Sequence, residues 1–547
     1  MKTFKDFLEW YNNLDVIPFV EAIEKMKVFY KNKKLDLFKD GVSLPGLVLK
    51  YLINSTKDKF YLFNEKDNID DRETRNNLFY LLKDSIVGGP SIIFTRYHEA
   101  FKTFIRGGNK LCKKIIGYDA NALYLWAISQ YMPTGKHEHI KEYNLSQLEQ
   151  DILNDKLFGF VQVDIETPEH LKEYFKEMTP IFKNAKIKFD DIGEYMQKFH
   201  VENNIKFVEG NKLIGSYFGK EILLYTPLLK WYLQKGLKIT KFYNAIKYKP
   251  SCSFQKFADE VSDARRAGDV DKNYDLIAET MKLFGNSAYG KTITNKEGFV
   301  NTSYANEKDI TKKINNPRFK DLEELHKNTY EVTTSYKTIT MDLPLQIGVA
   351  VYHLAKLRML EFFYDFIDKF IDRSDYEMIE MDTDSNYFAF SEDNIEKLIK
   401  PELREQYEKE KYNFLPSESD ELHPTFNVDG KRFTMKQYEK RTPGLFKVET
   451  IKDKVIALCS KMYCCSNMDE TNIKFSCKGI QKEGNNVNYK KFENVLFGDK
   501  QDTAHNKGFR MVDGTMKSYE QDKKGLSYVY CKRIVLPDGI NTVPLNI

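Results

Sequence analysis

The 547-residue sequence has no apolar run long enough to span a bilayer, and its N-terminus lacks the hydrophobic region of a signal peptide. Its seven cysteines are odd in number and follow neither disulfide-framework nor zinc-finger spacing. No internal repeat or long low-complexity tract is present. These absences argue against a membrane protein, a secreted disulfide scaffold and a repeat array, and they favour reduced thiols.

The composition is that of an ordinary globular chain, with 41% hydrophobic and 30% charged residues, and its length predicts several subdomains. Charge is unevenly spread, because residues 451–547 hold 16 Lys and Arg against 11 Asp and Glu in a chain of net charge +4. An excess of cations favours a phosphate-rich partner. The aromatic residues interleaved there would allow base stacking or sugar contacts: Tyr463, Tyr519, Tyr528 and Tyr530. The alternative is a solvated basic face.

The segment MDTDSNYFAF (381–390) predicts a tight β-hairpin with Asp382 and Asp384 at its tip. Two adjacent carboxylates repel each other unless a cation neutralises them. Hard carboxylate oxygens suit Mg²⁺, which also binds substrate phosphates. Because Asp and Ser are common turn residues, an ordinary turn is the alternative.

Two upstream segments favour the metal. Asp119 follows the apolar run Ile115-Ile116 and precedes a helical turn with Leu123 and Tyr124, which predicts a carboxylate at the end of a strand. Further along, residues at i, i+4 and i+7 spacing predict one helix face carrying Lys282, Asn286 and Tyr289, with Gly290 at the C′ position. That face suits a triphosphate and a stacked base, although a helix with a solvated lysine remains the alternative.

In order and spacing these segments resemble motifs A, B and C of family B DNA polymerases. The resemblance is closest to the protein-primed subgroup of linear-genome phages, linear mitochondrial plasmids and Polinton/Maverick transposons. Motif A is DANALY (119–124), motif B is KLFGNSAYG (282–290) and motif C is DTDS (382–385). Lys461-Met-Tyr463 resembles the Lys-x-Tyr motif that holds the primer strand. The resemblance extends from around Trp10 to the C-terminus.

The resemblance implies a DNA-directed DNA polymerase that adds dNTPs to a primer 3′-hydroxyl, or to a terminal-protein hydroxyl, when a mobile element, linear plasmid or virus replicates. Two Mg²⁺ ions, replaceable by Mn²⁺, would be held by Asp119, the Ala120 carbonyl and Asp384, with Asp382 as a supporting catalytic carboxylate. The implied nucleotide-binding residues are Leu123, Tyr124, Lys282, Asn286 and Tyr289, with Tyr124 excluding a ribose 2′-hydroxyl. The implied DNA- and primer-binding residues are Ser287, Gly290, Thr383, Lys461 and Tyr463. For the basic residue of the fingers the sequence leaves three candidates: Arg265, Arg266 and Lys272.

Family members carry an N-terminal exonuclease domain with three acidic motifs. Only the last is recognisable here, with Tyr11 and Asp15 as its remnant, so we expect no 3′→5′ exonuclease activity; an amphipathic surface helix is the alternative. The sequence Ile105-Arg106-Gly107-Gly108 lacks the tyrosine of the family's Tyr-x-Gly-Gly element. Asp164-Ile-Glu166 imitates the first exonuclease motif but follows motif A, and it is interpreted as an ordinary strand.

The predicted fold is α+β, a right hand of palm, fingers and thumb with insertions of the terminal-protein-region type in the palm. Helices are expected at 221–234, 270–289 and 346–370. The predicted units are an exonuclease remnant (1–35), a connector (36–108), palm (109–135), an insertion contacting terminal protein and DNA (136–227), fingers (228–290), a second insertion (291–336), palm (337–466) and thumb (467–547).

The expected partners are template-primer DNA, dNTPs and a terminal priming protein, for a monomeric protein without a membrane. The expected location is a reducing intracellular compartment: nucleus or mitochondrion in a eukaryotic host, otherwise the cytoplasm or a viral setting. Two further hypotheses stay open, a catalytically inactive DNA-binding remnant and a polymerase that makes RNA or reverse-transcribes. Intact Asp119, Asp384 and Lys282 argue against the first, and Tyr124 argues against ribonucleotide use.

Overall fold

The computed structural model describes residues 3–63, 72–498, 502–512 and 515–547. Helices and strands alternate irregularly along these residues, as an α+β fold predicts. The helices are α1 (Phe4–Asn32), α2 (Leu44–Asn54), α3 (Arg72–Asp84), α4 (Leu123–Ser129), α5 (Leu145–Leu153), α6 (Glu169–Lys172), α7 (Glu194–Glu202), α8 (Thr226–Gln234), α9 (Gln255–Val270), α10 (Asp275–Ser287), α11 (Glu307–Ile314), α12 (Leu345–Glu361), α13 (Asp368–Phe370), α14 (Arg404–Glu410), α15 (Met435–Glu439) and α16 (Tyr489–Phe497).

The strands form several separate antiparallel sheets. They are β1 (Ser91–Ile93), β2 (Tyr97–Glu99), β3 (Lys114–Ala120), β4 (Met132–Ile140), β5 (Gly159–Glu166), β6 (Ile181–Ile187), β7 (Gly210–Ser216), β8 (Phe218–Tyr225), β9 (Lys238–Ser251), β10 (Val300–Ala305), β11 (Phe319–His326), β12 (Thr329–Ser335), β13 (Tyr376–Asp382), β14 (Ser385–Phe390), β15 (Leu422–Val428), β16 (Lys431–Thr434), β17 (Phe446–Lys452), β18 (Lys454–Cys459), β19 (Met462–Ser466), β20 (Lys474–Cys477), β21 (Thr503–Val512), β22 (Thr515–Lys524), β23 (Ile534–Val535) and β24 (Thr542–Val543).

The predicted palm is a five-stranded antiparallel sheet in the order β1-β13-β14-β3-β17. Strands β13 and β14 are almost continuously buried because both of their faces are covered. One face packs on the π-helical turn that follows α12, where the rings of Phe363 and Phe388 lie 6.1 Å apart. The other face packs on a second core that includes Ile379, Tyr387 and Cys465. Because both faces of the sheet pack against protein, the sheet forms a rigid support for the predicted site.

Helix α12 is apolar on all sides, and a helix of that kind is stable only when it is surrounded by protein. It continues through a π-helical turn (Phe362–Ile367) into α13, which matches the helix predicted at 346–370. The Phe362 ring stacks on Phe446 of β17 with centroids 3.8 Å apart. His353 is buried in this helix and accepts a hydrogen bond from the Tyr225 amide, so its role is structural.

The other two predicted helices begin later in the chain than the sequence predicted. The first begins at Thr226 rather than residue 221, because 221–225 belong to β8, which pairs with β5. The second begins at Asp275 after a short 3₁₀ turn, Lys272–Tyr274. Helices α9 and α10 lie against each other, and Gly268 permits the contact, since a Cβ there would stand 2.5 Å from the Cβ of Ala278.

Several sheets cross the predicted unit boundaries. Strands β5 and β8 of the predicted insertion share a sheet with β4 and with β9 of the predicted fingers, so the predicted boundary at 227/228 divides one sheet. The predicted connector supplies β1 to the palm sheet and β2 to the sheet β2-β18-β19-β20. The second insertion contains the sheet β10-β12-β11 with α11, and Asp164 lies on β5 as predicted.

Helix α1 is exposed along nearly its whole length, and Tyr30 near its end is its one buried residue. Tyr30 stacks on Phe284 of α10 with ring centroids 5.8 Å apart. All seven cysteines are free, as their spacing predicted. In the part of the chain that the structure describes, no helix combines the length and apolarity needed to cross a membrane.

Candidate active site

The hairpin predicted for motif C is present, with Thr383 and Asp384 forming a two-residue turn between β13 and β14. Thr383 has a φ of +62°, an unfavourable conformation for a β-branched residue. Its amide donates to the Pro90 carbonyl at 2.7 Å, and the Ala120 amide donates to the Asp384 carbonyl at 2.7 Å. The strained turn is therefore fixed from both sides by neighbouring chain segments, as is common at functional sites.

The register of the sheet brings motifs A and C together. Strand β3 pairs with β14 so that Asp119 stands opposite Ser385, next to Asp384. Burial raises the pKa of Asp384 to about 6, and the carboxylate of Asp119 adds to the shift. Burial also raises the pKa of Asp119, against the effect of Lys447. Asp119 and Asp384 are thus close enough to repel each other, and Asp382, the neighbour whose repulsion the sequence predicted, adds a smaller contribution to the pKa of Asp384.

Lysines partly balance this negative charge. Lys447 on β17 places its Nζ 3.0 Å from Asp119 Oδ2. Lys461, in the turn between β18 and β19, places its Nζ 2.6 Å from Asp382 Oδ1. Asp119 and Asp382 each have a lysine beside them, whereas Asp384 forms no ion pair with a basic side chain among the described residues, so the uncompensated charge lies at Asp384.

The donor set fits a divalent ion. Among the described residues no three His, Cys, Asp or Glu side chains converge as a ligand group, so protein ligands alone would not enclose an ion. Mg²⁺ in nucleotide sites is commonly held by one or two carboxylates together with water and substrate phosphates. Two neighbouring hard carboxylates with a raised pKa provide that arrangement at Asp119 and Asp384.

A family model described as DNA polymerase type B, organellar and viral, matches residues 7–382. The chain belongs to this family. It is by family a DNA-directed DNA polymerase, with the mixed α and β polymerase fold that the sequence motifs predicted. The match ends at Asp382, so Asp384 and the Lys-x-Tyr element lie beyond it.

Solved structures of phi29 DNA polymerase are also similar to this chain. The complex with primer-template DNA and incoming nucleotides has a TM-score of 0.48 at 13% identity and covers 89% of this chain and 68% of that one. The binary complex with primer-template DNA has a TM-score of 0.45 at 13% identity and covers 87% and 67% respectively. The sequence matches none of the curated proteins with which it was compared.

In this type B polymerase, three tyrosines from distant segments form one aromatic cluster. Tyr124 of α4 lies against Tyr289, with centroids 4.4 Å apart, and both contact Tyr352 of α12 at 5.8 and 5.6 Å. Burial raises the pKa of Tyr124, and Asp384 contributes to the shift, which places the ring near the carboxylates. The sequence identified two of these residues, but Tyr352 lies within an apolar helix and gave no separate signal.

Motif B lies on α10 as predicted, with one difference. Lys282 is half-exposed and forms an ion pair with Glu279 at 3.3 Å, and Asn286 is exposed on the same helix. Gly290 is not a left-handed C′ residue, because the chain continues into a 3₁₀ turn (Gly290–Ile293); that prediction is wrong. Ser287 is half-buried. Leu123 of motif A is 2% exposed, so only its backbone can reach a ligand.

The three basic candidates of the predicted fingers differ in solvent exposure and in their side-chain partners. Arg266 is 3% exposed and occupied by protein contacts, and Lys272 is exposed in the turn before α10. Arg265 has no ion-pair or side-chain hydrogen-bond partner among the described residues, and its pKa, lowered by burial and by Arg441, responds to Asp119. Arg265 is therefore the candidate whose guanidinium lies within electrostatic range of Asp119.

The Lys-x-Tyr element lies at the edge of the site. Lys461 adopts a φ of +62° at a tight turn, and Tyr463 is 8% exposed with its hydroxyl 3.5 Å from that of Tyr387. The expectation that Tyr528 and Tyr530 stack on DNA is wrong, because both are core residues at 1% and 2% exposure. Their hydroxyls hydrogen-bond to Tyr195 and to the Ile93 amide.

The predicted exonuclease remnant lies on α1, away from the carboxylates of the palm. Tyr11 is 53% exposed and Asp15 is exposed one turn further along. No convergent group of metal ligands occurs at this helix within the described residues. The absence of exonuclease activity remains a prediction.

Proposed function

We propose that this polymerase adds dNTPs to a primer 3′-hydroxyl at the site formed by Asp119 and Asp384. The observation that carries the proposal is the β3–β14 register, which places these two acids side by side although they lie far apart in the chain. Burial, together with the repulsion from Asp119, raises the pKa of Asp384 and costs folding stability. Such a cost is typical of a site built for charge that arrives with the substrate.

Asp119, the Ala120 carbonyl and Asp384 would hold two Mg²⁺ ions, for which Mn²⁺ can substitute. When bound, the ions would promote ionisation of the primer 3′-hydroxyl and neutralise charge on the triphosphate. Asp382, paired with Lys461 at 2.6 Å, supports the turn that presents Asp384. In the reaction the primer oxygen attacks the α-phosphorus and pyrophosphate leaves.

Arg265 and Lys282 are the residues we assign to the incoming triphosphate, since they lie on the two packed helices α9 and α10 and Arg265 lies within electrostatic range of Asp119. Arg can bind phosphate oxygens through two parallel hydrogen bonds, whereas Lys acts as a point charge. Asn286 lies one turn beyond Lys282 and completes this face.

The Tyr124–Tyr289–Tyr352 cluster would form the wall beside the sugar and base of that nucleotide. Tyr124 is fixed by two ring contacts, so it cannot move aside for a ribose 2′-hydroxyl without breaking them. Tyr289 would pack on the nascent base pair. The Leu123 backbone lies at the start of α4, the helix that carries Tyr124. A fixed ring at this place selects deoxyribonucleotides.

Primer and template would lie along Ser287, Gly290, Thr383, Lys461 and Tyr463. Lys461 is the exposed cation of this set, while Tyr463 is packed against Tyr387 and positions the turn. We place the reaction in the replication of a mobile element, linear plasmid or virus, with a terminal protein hydroxyl as an alternative primer. Family membership supports this context.

The test is primer extension with dNTPs and Mg²⁺ by the wild type, Asp119→Asn, Asp384→Asn and a matched control, Asp393→Asn. Asp393 is an exposed carboxylate paired with Lys397 and remote from the reaction. Extension by the wild type and the control but by neither active-site variant would support the proposal. A folded wild type that binds DNA and extends nothing would overturn it in favour of the inactive DNA-binding remnant. Preference for rNTPs, or extension only on RNA templates, would favour the third hypothesis.

A further inference from the structure

Between motif C and β17 the chain leaves the palm and forms a small unit of β15, β16 and α15. We call residues 417–445 the bracing segment. Its hairpin is closed internally, with the Ser417 amide donating to Glu439 at 2.5 Å and the Thr434 side chain capping α15. No motif of the polymerase lies in it, and the assignments above give it no role.

The bracing segment is anchored to motif A. The Asn121 side chain donates to the Lys440 carbonyl at 2.8 Å, and the Gly444 amide donates to the Asn121 carbonyl at 2.7 Å. Arg358 of α12 donates to the Gly444 carbonyl at 3.0 Å. Gly444 is required there, because it has a φ of +79° and an added Cβ would stand 2.2 Å from the Trp126 ring. This end of the segment is therefore a rigid part of the palm.

The same segment also binds helix α9 of the predicted fingers. The Arg266 guanidinium lies over the Tyr438 ring at 3.6 Å and donates to the Tyr438 carbonyl and the Thr442 hydroxyl, each at 2.9 Å. Asp263 holds the remaining side of the guanidinium at 2.7 Å. A stacked and fully hydrogen-bonded arginine of this kind cannot be replaced by lysine without loss of contacts.

Two further contacts tie the end of the same helix and the turn after it. Arg441 forms a two-point ion pair with Asp269, at 2.7 and 2.5 Å. The Tyr274 hydroxyl donates to Asp429 at 2.6 Å. The bracing segment thus holds α9 at two positions three residues apart and the following turn at a third, which fixes the rotation of the helix about its own axis as well as its distance from motif A.

Rotation matters because Arg265 and Arg266 are neighbours, and successive helical residues point about 100° apart. With Arg266 locked into the bracing segment, the direction of the adjacent Arg265 is fixed as well, and its guanidinium lies within electrostatic range of Arg441 in the segment and of Asp119 in motif A. A turn of the helix by one residue would remove the Arg265 guanidinium from the site.

We propose that the bracing segment couples the fingers to motif A and that Arg266 is a positioning residue, which sets where Arg265 meets the incoming triphosphate. The proposal rests on the nucleotide role assigned to Arg265 above. It predicts that the effect of losing Arg266 passes through Arg265 and not through general destabilisation.

The decisive experiment is a double-mutant cycle with Arg265→Met, Arg266→Met and the double variant, with Arg404→Met as a control on the exposed helix α14. The readout is the Kd of a dNTP for enzyme bound to primer-template with a dideoxy-terminated primer, measured with Mg²⁺. We expect each single variant to raise this Kd about 10- to 100-fold, the loss of one charge-assisted contact. The double variant should be no worse than Arg265→Met, and primer-template affinity should not change.

Additive effects of the two substitutions would overturn the proposal, because Arg266 would then act independently of Arg265. If Arg266→Met does not fold, the ion pair between Arg441 and Asp269 provides a second test of the proposal. Arg441→Asp and Asp269→Arg should each raise the Kd of the dNTP, and the variant with both substitutions should restore it. Failure of the combined swap to restore nucleotide binding would also overturn the proposal. Failure of the proposed function is distinct, since the wild type itself would then extend no primer.

Discussion

Asp384→Asn should abolish nucleotide addition and yet stabilise the metal-free protein at neutral pH. Burial and Asp119 raise the pKa of Asp384 from its ordinary 3.8 to about 6. A carboxyl whose folded-state pKa lies above its unfolded value destabilises the fold progressively as pH rises from about 4 to 6, and the cost is fully present above 6. Asparagine carries no charge and escapes that cost.

A shift of about two pKa units corresponds to about 3 kcal/mol at most, and partial solvent access reduces this to about 1–3 kcal/mol. At about 2.1 cal/mol/K per residue, the unfolding entropy of a chain of this size converts that range to a rise in Tm of about 1–3 °C. The assay is thermal unfolding in EDTA at pH 7.5 and 4.5. The difference between variant and wild type should be largest at pH 7.5 and should shrink at pH 4.5.

Asp382→Asn is the matched control, because it makes the same change two residues away with the opposite expected sign. It removes the partner of Lys461 at 2.6 Å and should lower Tm slightly, by the equivalent of about 1 kcal/mol or less. Adding Mg²⁺ should raise the Tm of the wild type but not that of Asp384→Asn. The reasoning would be refuted if metal-free Asp384→Asn had a lower Tm than the wild type at pH 7.5, or if the Tm difference between the two did not depend on pH.

Three other substitutions test the surroundings of the carboxylates. Tyr124→Val should reduce discrimination between dNTPs and rNTPs about 100-fold in kcat/KM on one primer-template, because the ring that excludes the 2′-hydroxyl is gone; unchanged discrimination would contradict this. Lys282→Ala should raise the KM for dNTPs about 10-fold or more, with partial recovery in Lys282→Arg, and an unaltered KM in steady-state kinetics would remove Lys282 from the triphosphate site. Gly89→Ala should lower kcat about 10- to 100-fold, since the new Cβ would meet Thr383 Cγ2 at 2.5 Å and shift the motif C turn, whereas Gly88→Ala, with nothing within 4 Å, should behave as wild type. Equal rates for the two glycine variants would show that the turn tolerates displacement.

Local patterns in the sequence were sufficient for the elements that carry the carboxylates. The hairpin around Asp384, the strand before Asp119 and the helix with Tyr124 all depend on alternation, apolar runs and turn residues within a dozen positions. Gly290 was misplaced because a glycine after a helix usually ends it, while here buried neighbours continue the helix as a 3₁₀ turn.

The residues that surround the site could not be found in this way. Lys447 and Tyr352 reach it from strands and helices that pair far along the chain, and pairing over such distances leaves no periodic signal. The Gly-Gly-Pro segment before β1 is recognisable as a turn, but nothing local indicates that Pro90 receives the Thr383 amide. Tyr528 and Tyr530 looked like DNA contacts because aromatic residues among lysines are ambiguous until burial is known.

The pairing of β3 with β14 also determines which changes in length the gene can accept. Deleting one residue from β3 would turn Asp119 to the opposite face of the sheet, and deleting one from β14 would shift the register of the turn that carries Asp384, whereas lengthening the chain between the two strands leaves the pairing intact. Closing a longer loop costs little, since the entropy grows only with the logarithm of its length. The exposed turn between β11 and β12, at Lys327 and Asn328, is therefore a suitable place to insert a reporter domain or an affinity tag without disturbing the reaction centre.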